Sequence, residues 1–113
     1  MTIVRSDAGG TYTPPGHDAS VRSRKLFNPS NGCPKLDAHV TTFAPGAGME
    51  EEIHEVSDHV FFMLRGELEV FRGAEAAGTI GPGDAVHIPA GEPHRLRNSG
   101  PSDAVFLAVT TLP

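Results

Sequence analysis

Cysteine is almost missing: Cys33 stands alone among 113 residues, so no disulfide can form within the chain. That pattern fits a reducing compartment, and a cytoplasmic protein is expected. Cys33 lies in a Gly-Cys-Pro turn and reads as an unreactive small residue. Long apolar runs are also missing. None approaches the roughly 20 residues of a membrane span, and the first thirty residues lack the apolar segment of a signal peptide. Basic charge is sparse and scattered, with nine Lys and Arg against fourteen Asp and Glu and a net charge of -5. Neither a nucleic acid nor a membrane surface is therefore an expected partner. No stretch holds a 3.6-residue apolar period and no internal repeat is evident, so little helix is expected.

What is plentiful is punctuation. Thirteen glycines and ten prolines divide the chain into short segments. Residues 1–35 are rich in turn formers, among them Gly9-Gly10, Pro14-Pro15-Gly16, Asn28-Pro29 and Asn31-Gly32. They read as an irregular N-terminal arm with one short strand, Val21 to Phe27. His17 in this arm reads as a solvent-exposed histidine, and Tyr12 reaches a site only if the arm folds over it. From Leu36 the pattern changes. Strand-like runs at Leu36 to Phe43, His59 to Leu64, Glu67 to Phe71, Ala85 to Ile88, His94 to Arg97 and Ala104 to Thr111 alternate with Gly or Pro turns. A short Ala-rich link precedes Gly78. Strands of four to eight residues between such turns predict a single all-β domain, a sandwich or barrel, over 36–113.

One stretch, Gly46 to Gly66 (GAGMEEEIHEVSDHVFFMLRG), concentrates metal-binding residue types. Glu52 and His54 are two apart, so in an extended segment they project from one face. In a strand beginning at His59, that histidine shares a face with Phe61 and Met63, while Val60, Phe62 and Leu64 take the other. A second cluster lies downstream, GDAVHIPAGEPHRLRN from Gly83 to Asn98. There His94 and Leu96 face one way and Arg95 and Arg97 the other, which turns His94 inward. A lone inward histidine is usually a satisfied core residue, but His54 and His59 also need partners.

These two clusters resemble the paired motifs of the cupin superfamily, small jelly-roll barrels also described as double-stranded β-helices. In the second motif, G-x5-P-x-G-x2-H-x3-N, the residues Gly83, Pro89, Gly91, His94 and Asn98 fill every fixed position. Aligning the first motif, G-x5-H-x-H-x3-4-E-x6-G, on Gly46 and Gly66 puts Glu52 at its first His, His54 at its second and His59 at its Glu. The exchange is reciprocal, so three imidazoles and one carboxylate remain. A register starting at Gly48 instead leaves Val56 where a donor belongs, and only the Gly46 register makes Glu52 a ligand. The resemblance covers about Leu36 to Leu112.

It implies one divalent transition metal ion, Fe, Mn, Ni, Zn or Co, held by Glu52, His54, His59 and His94. Four protein ligands on an octahedral ion leave two positions for water or substrate. The expected activity is that of a small metal-dependent enzyme acting on an oxygen-bearing organic molecule. Dioxygenation with Fe or Ni ranks ahead of isomerase, lyase or cyclase chemistry with Zn or Mn. The alternative is a binding module that senses or sequesters a small molecule or metal; a third reading is a barrel serving mainly as a dimer scaffold. Candidates for orienting ligands or lining a cavity are His39, Glu55, Phe61, Met63, His87, Leu96, Asn98 and Phe106. Glu50, Glu51, Glu55 and Asp58 read first as a solvated acidic loop. Both faces of His59 to Leu64 are apolar, so one needs covering by the arm or a partner, and a homodimer is expected.

Overall fold

The computed structural model covers residues 1–113. Eight strands carry the fold: β1 (Val21–Phe27), β2 (Leu36–Phe43), β3 (His59–Arg65), β4 (Leu68–Arg72), β5 (Glu75–Ile80), β6 (Ala85–Ile88), β7 (Arg95–Arg97) and β8 (Ala104–Thr111). One 3-10 turn, Pro29–Asn31, is the only helical segment, capped by the Asn28 side chain. No helix is long and apolar enough to cross a membrane. The strands form a five-stranded sheet, ordered β1-β2-β8-β3-β6, and a three-stranded sheet, ordered β5-β4-β7, with every pairing antiparallel. This is the all-β jelly-roll architecture that the motifs imply.

Strand alternation decides what faces inward. Pairing registers lay the inner face of the large sheet out in rows. One row is Ser23, Thr41, Phe106 and Met63; the next is Lys25, His39, Ala108, Phe61 and Val86; the next is Asp37, Thr110, His59 and Ile88. Phe43, Met63, Leu68 and Leu96 are wholly buried between the two sheets, and Phe61 and Phe106 meet edge to face at 5.2 Å. The outer face of β3 stays open: Val60 is 42%, Phe62 41% and Leu64 49% exposed.

β1 pairs along β2 at the edge of the large sheet, and its Val21 and Ser23 are fully buried. The rest of the arm is drawn inward by backbone pairing. Tyr12 bridges to Ser23 and His17 to Met49, and Asp18 Oδ2 accepts from Gly48 N–H at 2.8 Å. The segment read as an Ala-rich link is strand β5. Its residues are almost all exposed and show no alternation, yet its backbone pairs with β4 from Leu68↔Ile80 to Arg72↔Glu75.

Candidate metal centre

The cluster is assembled by three pieces of backbone. β3 begins at His59, so its imidazole stands at the end of an inward row beside Thr110 of β8. The segment carrying Glu52 and His54 is not a regular strand. It is stapled to the loop before β7 by Glu52 N–H to His94 O (2.9 Å), His94 N–H to Glu52 O (3.0 Å) and Gly91 N–H to His54 O (2.8 Å). Those three bonds bring the two sequence clusters together.

The candidate ligand atoms of His54, His59 and His94 all lie within 4.8 Å of one another. Their rings are packed, with centroids 4.2 Å apart for His54 and His59 and about 5.5 Å for the other two pairs. His59 and His94 are buried; His54 is partly so. Glu52 stands against this trio. Its Oε2 accepts from His54 Nε2–H at 2.9 Å and lies 4.0 Å from His94 Nε2. Its other oxygen is 3.8 Å from His17 Nδ1.

Partners on the far side of two rings fix their orientation. His94 Nδ1 donates to the Glu92 carbonyl at 3.2 Å, and His59 Nδ1 bonds the Thr110 hydroxyl at 3.0 Å. His59 Nε2 is buried with no hydrogen-bond partner at all. An orphaned buried nitrogen costs free energy unless something else engages it. Burial, then the neighbouring His54 and His94, push the His59 imidazole down to about pKa 4. At neutral pH it is therefore uncharged, and in the tautomer whose Nδ1–H donates to the Thr110 hydroxyl the buried Nε2 keeps a lone pair available to an ion. The donor set and the orphan nitrogen both fit a divalent transition metal.

The trio forms one corner of a cavity of about 320 Å3. Met49, Phe61, Leu96 and Phe106 supply an apolar wall, and His39, Thr41 and Thr110 a polar one. Tyr12, Pro14, Pro15 and His17 close it from the arm. Of the candidates named from sequence, His39, Phe61, Leu96 and Phe106 line this space. Four do not. His87 pairs with Val60, whose side chain faces out, so the histidine is exposed and donates to Asp58 Oδ2 at 3.0 Å. Glu55 is exposed. Met63 is wholly buried in the core, one row farther from the trio than Phe61. Asn98 is fully buried as a turn clamp, donating to Phe43 O and Ser102 O and accepting from Gly100 N–H.

The acidic loop stays in solvent, with Glu50, Glu51 and Glu55 exposed and the Asp58 carboxylate about half so, but Asp58 is also tied down within it. The His87 ring and the Ala90 N–H hold its carboxyl below the usual carboxylate range. His17 is the main correction. Instead of pointing to solvent it lies within the cavity wall, donating from Nδ1 to Pro15 O at 3.0 Å and meeting the Phe43 ring edge-on at 5.9 Å. Nothing in a Gly- and Pro-rich arm signals such a contact. Thr110, by contrast, was readable: it continues the inward alternation of Ala104, Phe106 and Ala108.

The cupin domain family matches residues 39–110. The chain belongs to the cupins. Among solved structures, this cupin superposes on a predicted oxalate decarboxylase from Thermotoga maritima with a TM-score of 0.87 at 24% identity, over 99% of this chain and all of the other. It superposes on the polyketide cyclase RemF from Streptomyces resistomycificus with a TM-score of 0.85 at 23% identity, over 98% of this chain and 79% of that one. At these identities the likeness shows the fold. A sucrose-binding protein of Glycine max is 32% identical over 81 residues, 69% of this cupin. The cupin spans only 14% of that relative's length.

Proposed function

We propose that this cupin is a metal-dependent enzyme whose histidine trio, with Glu52 as fourth ligand, holds one divalent ion facing a small oxygen-bearing organic molecule. The observation that carries this reading is the buried, unpartnered His59 Nε2 facing His54 and His94. When bound, such an ion supplies a Lewis acid for an oxygen of the substrate. The chain's own residues do the rest. Thr110 and the Glu92 carbonyl hold the rings of His59 and His94 in place, and Met49, Phe61, Leu96 and Phe106 take the apolar part of the molecule and exclude water. Relatives of the same fold include a cyclase and a predicted decarboxylase, which supports chemistry on a carbonyl or carboxylate compound.

Elemental mass spectrometry of the purified protein is the direct test. The wild type is expected to carry a stoichiometric transition metal, and His54→Ala and His94→Ala to lose it. Stoichiometric metal retained in both variants refutes the site. Oxygen uptake by iron-loaded protein with enol or thiol substrates separates dioxygenation from isomerase, lyase or cyclase chemistry. The likeness to a protein named for sucrose binding favours a second reading, a binding module; tight ligand binding without turnover under any metal is its signature. The open apolar face of β3 supports pairing of two copies in either case.

A further inference from the structure

One titratable pair in the cavity belongs to no part of the metal corner. Asp37 and His39 are two apart on β2 and so share its inner face. The His39 Nδ1–H donates to Asp37 Oδ1 at 3.0 Å. The His39 side chain lines the cavity, whereas Asp37 stands behind it. That bond fixes the tautomer: Nδ1 carries the proton, and Nε2, the ring's free nitrogen, carries a lone pair. Across the sheet, His39 and His59 sit in adjacent rows with β8 between their strands, a backbone separation of roughly 12 Å from about 4.8 Å per strand and about 3.4 Å per residue. A small molecule held at the histidine corner can therefore reach both. The cross-strand neighbour Lys25 does not compete, since its ammonium turns away to Ser30 Oγ at 2.7 Å.

We propose that His39, oriented by Asp37, accepts a proton from an enolisable carbonyl compound seated in the cavity. The substrate class is a hydroxyketone or similar molecule with an apolar body. This rests on the reading of the histidine corner as the place that holds the substrate oxygen. In the step, the C–H bond beside the carbonyl breaks and an N–H bond forms at His39 Nε2. The electron pair moves to the carbonyl oxygen as an enolate, and the imidazolium is held by the Asp37 carboxylate. The same N–H later returns the proton to carbon, so no oxidant or reductant is required. His39 is the catalytic residue in this scheme and Asp37 its positioning residue.

The test uses 2-hydroxyacetophenone in D2O, with deuterium entry at its α-carbon followed by proton NMR on metal-loaded, full-length protein. The wild type is expected to accelerate exchange, and His39→Gln to lower the rate by about 100-fold with fold and metal content unchanged. Asp37→Asn is expected to lower it by about 10-fold, between the two. Independently of turnover, 15N spectra of the ring nitrogens should show a protonated His39 Nδ1 in the wild type and lose that preference in Asp37→Asn. Exchange at the wild-type rate in His39→Gln overturns the inference. So does a wild type that carries its ion yet exchanges no faster than buffer. Protein that binds no ion overturns the reading beneath it as well, and metal analysis of the same samples tells the two failures apart.

Discussion

At the scale of single residues, the same burial that prepares a histidine for a metal makes it a liability without one. The His59 pKa falls to about 4 in the fold, against about 6.5 in an unfolded chain. Between those values the unfolded chain binds a proton that the native one refuses, so native stability drops as pH falls. Above about pH 6.5 both states are neutral and the effect is absent. The metal-free protein is thus expected to lose thermal stability from pH 6.5 toward 4, with a shallower slope in His59→Gln. An identical slope in both proteins would count against the assignment. Asn98 offers a different test. It is fully buried and makes three hydrogen bonds to backbone, so Asn98→Ala leaves those groups unsatisfied. A loss of roughly 2–4 kcal/mol in chemical denaturation is expected, with metal content retained in the protein that remains folded. Residue parity explains what was legible here. Alternation alone turned His94 inward and put His59 and Phe61 on one face, but with Val60, Phe62 and Leu64 apolar too it could not say which face of β3 is the inner one. His87 was misplaced because its partner Val60 faces out, and pairing register is not written in a four-residue strand.

At the scale of elements, the turns between strands are as constrained as the strands. Gly66 joins β3 to β4 with φ +72°, and a Cβ there would lie 2.2 Å from the Asp103 carbonyl oxygen and 2.9 Å from Ala104 Cα. Gly46 has a similar φ of +81°, yet a Cβ there meets nothing within 4 Å. Gly46→Ala should therefore cost about 1–2 kcal/mol for the left-handed backbone alone. Gly66→Ala should cost more, roughly 2–5 kcal/mol, because the β8 entry must also shift. Denaturation midpoints of the two variants check the order, and equal losses would contradict the close approach. Both glycines were visible in the sequence as motif positions, but nothing local distinguished the crowded one from the open one. The strands Val21–Phe27, Leu36–Phe43, Ala85–Ile88 and Ala104–Thr111 emerge with the ends their composition suggests. β5 does not, since its exposed Ala and Gly residues carry no apolar signal and its backbone ladder to β4 holds it in place. The arm escapes for a related reason. Its docking depends on backbone bonds such as Asp18 N–H to Gly48 O and Glu50 N–H to Gly16 O, which any residue type but proline could donate.

At the scale of the whole molecule, the cavity and the open face lie on opposite sides of one sheet. Strand β3 sends His59, Phe61 and Met63 inward and leaves Val60, Phe62 and Leu64 facing solvent. Its cross-strand neighbours on β8 extend that outer patch, with Val60 opposite Val109 and Phe62 opposite Leu107. The arm does not cover it, being committed to the cavity mouth. We propose that this contiguous apolar face pairs with a second copy of the chain, which presents the same surface by symmetry. In a two-fold interface every residue appears twice, so one Phe62→Glu substitution places two like charges in the same desolvated contact. Sedimentation is expected to give twice the 11.9 kDa chain mass for the wild type and a single chain for Phe62→Glu. Because the substitution is on the outer face, the variant should keep its metal. A wild type that sediments as a single chain at micromolar concentration would remove the dimer while leaving the cavity chemistry untouched.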